Sequence, residues 1–378
     1  MSLLAPADRC LIDFLSTSGA GVPSLRLVDV GVSGGLHPAW RRWGAVLHAV
    51  GVDTLVDEVE RLSSEELNPN VRYFAARLTG PAADTVDPKR TNYSLHRTQP
   101  YLASVVLSNR TNNNSVQAFF ELQRDLATGA TIDPPLEANF SNLNDPGLDP
   151  FYGYYSRRFA RAQAPRFTQK TTSLDHLLQQ TSMTVVDVLK IDTDGHELDV
   201  LRGAERTLQS GCLAIEVEVQ FHGRVSSAAN TFCNIDTHMR ERGFTLFRLV
   251  PVHYSRAALP RPFVLDIPAQ TSGGQIFWAD ALYARDLGDV NYAARFGMNP
   301  TRQQCRQLAL VFDLYGLEDS AAEILLANTD LFEGIDNASV LDFLSTKLYG
   351  PRVKYTQVIK AFMKNPLGFQ RKLRRRWF

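Results

Sequence analysis

The 378-residue sequence lacks most of the features that would mark a secreted, membrane-spanning or metal-knuckle protein. Its four cysteines, Cys10, Cys212, Cys233 and Cys305, form no CxxC pair. Such spacing argues against a zinc knuckle and a disulfide framework and suits reduced thiols. No apolar run approaches the ~20 residues that a membrane helix needs. The opening stretch MSLLAPADRC places an acid where a signal peptide wants an apolar core, so a cytoplasmic location without a transmembrane segment is expected. Net charge is missing too. The 40 Lys+Arg balance 40 Asp+Glu, which leaves no whole-chain field for a polyanion, and no nucleic-acid partner is expected. The local exception is the tail, with Arg371, Lys372, Arg374, Arg375 and Arg376. It reads as a solvated end or, alternatively, as a weak contact for an anionic partner or membrane surface.

Hydrophobic residues make up 44% and charged residues 21%, ordinary values for a globular chain, and the length exceeds a typical single domain. Alternation of short apolar runs with helical patterns predicts βαβ units and a parallel sheet. Strands are expected at Leu25–Gly31, Ala45–Asp53, Val71–Ala76, Thr184–Asp192, Leu213–Gln220, Phe244–Val250 and Gln275–Tyr283. Residues 1–24 read as an N-terminal helical extension, and 79–170, rich in proline, as an irregular, substrate-facing insertion. From 285 the pattern turns helical, as an all-α C-terminal region ending in the basic tail. The aromatic cluster Phe151–Tyr155 lies in the insertion, where it either stacks on a sugar or packs a loop onto the sheet.

Three segments carry candidate chemistry. In Val28–Gly35 the first strand ends in a turn containing Gly31, Gly34 and Gly35, with Asp29 and Ser33 beside them. Glycine there allows positive φ and close backbone approach to a ligand, and a helix start just beyond suits a carboxylate. The spacing Gly31-x-x-Gly34-Gly35 departs from GxGxxG, which counts against a nicotinamide oxidoreductase. A bare tight turn would read the same way. Asp53 ends the second strand about 20 residues on, the separation of a ribose-binding acid. An exposed turn aspartate is the alternative.

The third segment is the most specific. A buried strand delivers Asp192, Asp194, His196 and Glu197 to a turn at Gly195. Neighbouring carboxylates raise one another's pKa, which suits proton transfer or a divalent cation held by Asp192 and Asp194; the cation is the less favoured use. Glu197 reads equally well as a first-turn acid complementing the helix dipole.

Leu189-Lys-Ile-Asp192, Gly195, Glu197, Leu201 and Gly203-Ala204 closely resemble the signature of the FkbM family of S-adenosylmethionine-dependent methyltransferases. Leu27–Gly31 with Gly34-Gly35, Ser173-Leu-Asp175, Glu216–Phe221 and Gly243–Phe247 resemble further parts of that family. The resemblance spans roughly residues 25–285. It implies a Rossmann-like class I methyltransferase fold, a seven-stranded and mostly parallel sheet with helices on both faces, over residues 25–284. It also implies methyl transfer, most often to a hydroxyl oxygen of a small molecule or glycan. Carried over by position, Asp29, Gly31, Ser33, Gly34 and Gly35 would hold the methionine part of the donor, Asp53 its ribose, and Asp192 would sit between donor and acceptor. The family's Glu-Pro at the second strand's tip is Asp53-Thr54 here, and His196 stands where the family has a small or aromatic residue. An alcohol acceptor needs a proton acceptor. Asp192, then His222, then Glu218 are the candidates, all near the ends of central strands. A non-catalytic nucleoside- or glycan-binding protein on the same fold is the alternative function; a degenerate site would predict loss of the turn glycines or of Asp53, and both are present.

Overall fold

The computed structural model describes residues 3–4, 9–80, 168, 170–193, 195–221, 226–254, 270–271 and 273–349. Nearly all of the irregular insertion, the Phe151–Tyr155 cluster and the basic tail lie outside these residues, as do Asp194 and His222.

The main sheet contains β1 (Leu25–Val30), β2 (Leu47–Asp53), β3 (Val71–Ala75), β6 (Val188–Ile191), β7 (Ala214–Gln220), β8 (Thr245–Tyr254) and β10 (Gln275–Ala284), with the two-residue β9 (Gln270–Thr271) on its edge. Their order is β3-β2-β1-β6-β7-β10-β8-β9. The first five strands in that order are parallel, and β10 inserts antiparallel between β7 and β8. This is the seven-stranded, mostly parallel sheet expected from the sequence, with a short added edge. Parallel central strands are buried on both faces, which explains why β1 and β6 read as nearly unbroken apolar runs. A two-residue pair, β4 (Arg77–Leu78) with β5 (Thr171–Thr172), brackets the insertion.

Each face of the sheet has its own core. One is built from alternate strand residues such as Val28, Val30, Leu189, Ile191, Ile215 and Val217. It is covered by α3 (Leu174–Gln179), α4 (Glu197–Arg202), α5 (Glu205–Gln209) and α6 (Phe232–Glu241). The opposite face, with Leu25, Leu27, Leu47, Val188 and Leu282, packs on Trp40 and Trp43 of a 3-10 segment (Pro38–Val46). Also on that face are α1 (Leu11–Thr17), α2 (Val56–Glu65), α8 (Arg302–Leu314), α9 (Glu318–Ala327) and α10 (Asn337–Tyr349). The short α7 (Tyr292–Phe296) precedes the last three of these. Residue 285 thus marks a change of secondary structure, while the hydrophobic core runs across it: Leu308, Val311, Phe312 and Ile324 are fully or almost fully buried against the sheet side.

Two local features beside β6 have clear causes. The strand expected from Thr184 begins at Val188. Just before it, the buried Asp187 carboxylate is held by the Arg26 backbone N–H (2.8 Å), the Arg26 guanidinium (2.6 and 2.9 Å) and the Gln307 amide (3.0 Å), a clamp between β1, β6 and α8. The helical stretch that follows β6 is divided in two, α4 and α5. Asp175 ends the continuity: its carboxylate accepts the Arg206 and Thr207 N–H groups at 2.7 and 2.9 Å, capping α5 from outside. That capping role accounts for the aspartate of Ser173-Leu-Asp175.

Candidate functional site

In an open α/β sheet, ligands bind beyond the carboxyl ends of the strands, where the strand order reverses. Here the reversal lies between β1 and β6, since β2 extends the sheet on one side of β1 and β6 and β7 on the other. Gly31, Asp53 and Asp192 end or immediately follow the three adjacent strands β1, β2 and β6. The sequence placed them far apart; the sheet brings them to one edge.

The turn after β1 is held tightly. Gly31 donates its N–H to Val52 O at 2.8 Å and has φ +83°. A Cβ on Gly31 would stand 1.7 Å from the Asp192 carbonyl oxygen, so glycine is required both for conformation and for space. The turn closes with Gly35 N–H to Val32 O at 2.8 Å, while Gly34 N–H donates to Glu58 of α2 at 2.9 Å. Ser33 and Gly34 are exposed. A Cβ on Gly34 would meet nothing within 4 Å, so the backbone there faces open space. Asp53 is buried, and its Oδ1 accepts the Leu55 N–H at 2.9 Å, a turn that fixes the carboxylate at the strand tip.

A row of ionisable groups crosses the sheet just below this edge. Register places Asp29 beside Lys190 and Lys190 beside Glu216, on the face covered by the C-terminal helices. The Lys190 ammonium donates to Asp29 Oδ1 at 3.1 Å and lies 3.8 Å from Asp192 Oδ2. Asp29 is buried, whereas the Asp192 side chain is half exposed, so the row leads from the interior to the mouth. Burial pushes the Asp29 carboxyl above its ordinary range, opposed by the Lys190 charge. For Lys190, burial would favour the neutral amine, but Asp29, Asp192 and Glu216 outweigh it and hold the ammonium charged. His37, facing Asp29, is pushed down by burial.

Further along, burial raises Glu216 to about 7, against a hydrogen bond from the Tyr315 hydroxyl and the charge of Lys190. Burial likewise raises Asp280 to about 6. Glu218 pairs in register with Asp280, and continuing the β6–β7 register sets it level with Asp192. The two described members of the expected acid–base set therefore stand on neighbouring strands.

Glu197 has a different place. It is fully buried, and its Oε1 accepts Thr193 N–H, Thr193 Oγ1–H and Gly195 N–H at 2.9–3.0 Å. Its Oε2 accepts the Asn230 amide at 2.5 Å, and Asn230 Oδ1 in turn takes the Leu198 N–H. This carboxylate staples the loop that presents Asp192. His196 lies at the start of α4, and its Nε2 is buried without a hydrogen-bond partner among the described residues. Among the described residues no group of three or more His, Cys, Asp or Glu is placed to hold a metal ion.

Sequence reasoning singled out Asp29, Gly31, Asp53, Asp192 and Glu218 but passed over Lys190, Glu216, Asp280 and Tyr315. The signal for the first three was present: a charged residue on an otherwise apolar central strand, as in Val-Leu-Lys190-Ile or Ala-Ile-Glu216-Val. Tyr315 gives no such signal, because only tertiary packing brings it 99 positions across the sequence to Glu216.

Comparison with known proteins agrees with the sequence resemblance. A model described as the methyltransferase FkbM domain matches residues 83–246, a span that includes Asp192 and Glu218 and begins after Asp53. No curated protein matches the chain. Among solved structures, a magnesium protoporphyrin IX methyltransferase from Synechocystis PCC 6803 with bound SAM is 8% identical, with a TM-score of 0.26 over 73% of this chain and 76% of that one. A TehB-like SAM-dependent methyltransferase from Corynebacterium glutamicum ATCC 13032 Kitasato is 9% identical, with a TM-score of 0.24 over 74% of this chain and 90% of that one. At such scores the likeness carries no argument, and the fold assignment rests on the strand order.

Proposed function

From a chain that carries an FkbM methyltransferase domain, we propose an S-adenosylmethionine-dependent O-methyltransferase acting on a hydroxyl of a sugar or other small metabolite. The observation that carries the reading is the convergence of Gly31, Asp53 and Asp192 at the carboxyl ends of three adjacent strands at the switch point of the sheet. The residues present suit the donor. The open backbone at Gly34 admits a close ligand, and the buried carboxylate of Asp53 sits where a ribose diol would be gripped. The carboxylates around Lys190 favour a ligand that carries positive charge.

In this reading Asp29, Gly31 and Ser33–Gly35 hold the methionine part and Asp53 accepts hydrogen bonds from the ribose hydroxyls. Bound there, S-adenosylmethionine supplies a methyl group activated by its sulfonium. The protein's main task is then alignment of the acceptor oxygen with that methyl. Asp192, half exposed at the mouth, takes the hydroxyl proton as the oxygen–carbon bond forms, and Glu218 is a further candidate. His222, ranked second from sequence, lies outside the described residues and stays a candidate from sequence alone.

The test is uptake of labelled methyl groups by a panel of hydroxylated metabolites and sugars. Transfer by the native protein, reduced on the order of 10²- to 10⁴-fold in Asp192→Asn with a much smaller loss of donor affinity, is the expected result. A fully active Asp192→Asn protein would remove Asp192 as the proton acceptor. Donor binding without transfer to any acceptor would favour the non-catalytic nucleoside-binding reading.

A further inference from the structure

The ionic row has a neighbour that the proposed chemistry does not use. Tyr315 directly follows α8 as its C-cap residue; it is fully buried, and its hydroxyl donates to Glu216 Oε2 at 2.6 Å. Its carbonyl accepts the Arg248 guanidinium from β8, and its ring stands edge-on to Trp40 at 5.9 Å and 69°. Trp40 belongs to the segment that follows the Gly31–Gly35 turn. Tyr315 therefore connects the C-terminal helical layer with the segment that follows the glycine turn and with the row Asp29–Lys190–Glu216.

We infer that Tyr315 is a positioning residue for the methyl-donor site, keeping Glu216 ionised against Lys190 so that the ammonium is shared among Asp29, Asp192 and Glu216. The inference rests on the donor-site reading above. Its physical content is competition for one cation. Lys190 is the ammonium common to three carboxylates: it bonds Asp29, lies 3.8 Å from Asp192 and neighbours Glu216 in register. When Glu216 is charged, it draws part of the Lys190 field and leaves Asp29 and Asp192 more negative toward a cationic donor. When Glu216 is neutral, Lys190 turns its full charge on those two, and the donor meets a less negative mouth.

The groups that face Glu216 are Tyr315 from α8, Lys190 from β6, Asp280 from β10 and Asp29 from β1. Tyr315 and Lys190 favour the carboxylate, while burial and the two aspartates favour the acid, and the balance stands at about 7. Donor affinity should accordingly be full above that pH and fall as the pH drops through it. Deleting the Tyr315 hydroxyl removes a contact that favours the charged form, so the midpoint must move up.

The experiment is calorimetric titration of the full-length protein and of Tyr315→Phe with S-adenosylmethionine from about pH 6 to about pH 9, with thermal melting as the folding control. The expected result is a folded variant whose affinity near pH 7 is lower on the order of fivefold and regains the native value at the alkaline end. Glu216→Gln, which cannot ionise, should show weakened affinity without the step near pH 7, and it carries the test if Tyr315→Phe does not fold. Native affinity with an unshifted midpoint in Tyr315→Phe would overturn the inference. So would a uniform loss at every pH, which would assign Tyr315 to packing alone. Failure of the native protein itself to bind the donor would instead overturn the donor-site reading, and the inference would fall with it.

Discussion

Gly31→Ala probes the turn on which the candidate site is built. Two costs add at this position. Alanine at φ +83° pays the steric penalty of left-handed backbone, about 1–2 kcal/mol. Its methyl would also stand 1.7 Å from the carbonyl oxygen and 2.8 Å from the carbonyl carbon of Asp192. Neither atom can rotate away, because both belong to the backbone just beyond β6, where Asp192 N–H is bonded to Val30 O at 2.9 Å. The end of β6 must therefore shift or the turn must open, an overpacking cost of about 1–3 kcal/mol. A combined destabilisation of about 2–5 kcal/mol would lower the melting temperature by roughly 3–6 °C for a chain of this length. Because the strain falls between the glycine turn and Asp192, donor affinity should drop more than the loss of stability alone would give. Paired thermal melts and S-adenosylmethionine titrations check both. A Gly31→Ala protein that melts and binds as the native one does would refute the close approach of turn and β6 as a constraint on the site.

Asp53→Ala removes the proposed ribose acceptor and should weaken donor binding about 10- to 100-fold, the worth of charge-assisted hydrogen bonds, while Asp53→Asn should lose less; unchanged affinity by calorimetry would take Asp53 out of the site. Truncation after Arg285 should leave an insoluble or loosely packed chain, because it strips Leu308, Val311, Phe312, Tyr315 and Ile324 from the core on one face of the sheet. A soluble truncate that still binds the donor with native affinity would show that this layer is dispensable.

Much of the fold was legible because central parallel strands announce themselves. Leu25–Val30 and Ala214–Gln220 are short runs rich in Leu, Ile and Val, largely buried along their length, and a glycine or a turn marks where they end. The Leu189–Asp192 motif carried the family resemblance, and a strand there requires nothing beyond local pattern. The limits arose where a side chain's role is set from afar. Asp187 looked like a blemish in a strand, yet it is a buried anion clamped by Arg26 and Gln307, and the strand starts after it. Glu197 sat among candidate acids, but it is saturated by the N–H groups of its own loop together with Asn230, which comes from 33 positions further on. The C-terminal helices read as a separate region because helical periodicity reports a buried stripe without naming what covers it. Only the packed structure shows that the stripe is the sheet's second layer, and that this layer delivers Tyr315 to the ionic row.

The central claim is tested most directly by isothermal titration of the full-length protein with S-adenosylmethionine, with NAD as the control. Saturable binding of the first and none of the second is the predicted result, in keeping with a turn that departs from the dinucleotide spacing. Binding of NAD, or of neither ligand even in the presence of hydroxylated acceptors, would contradict the assignment of the Gly31–Asp53–Asp192 edge as a methyl-donor site.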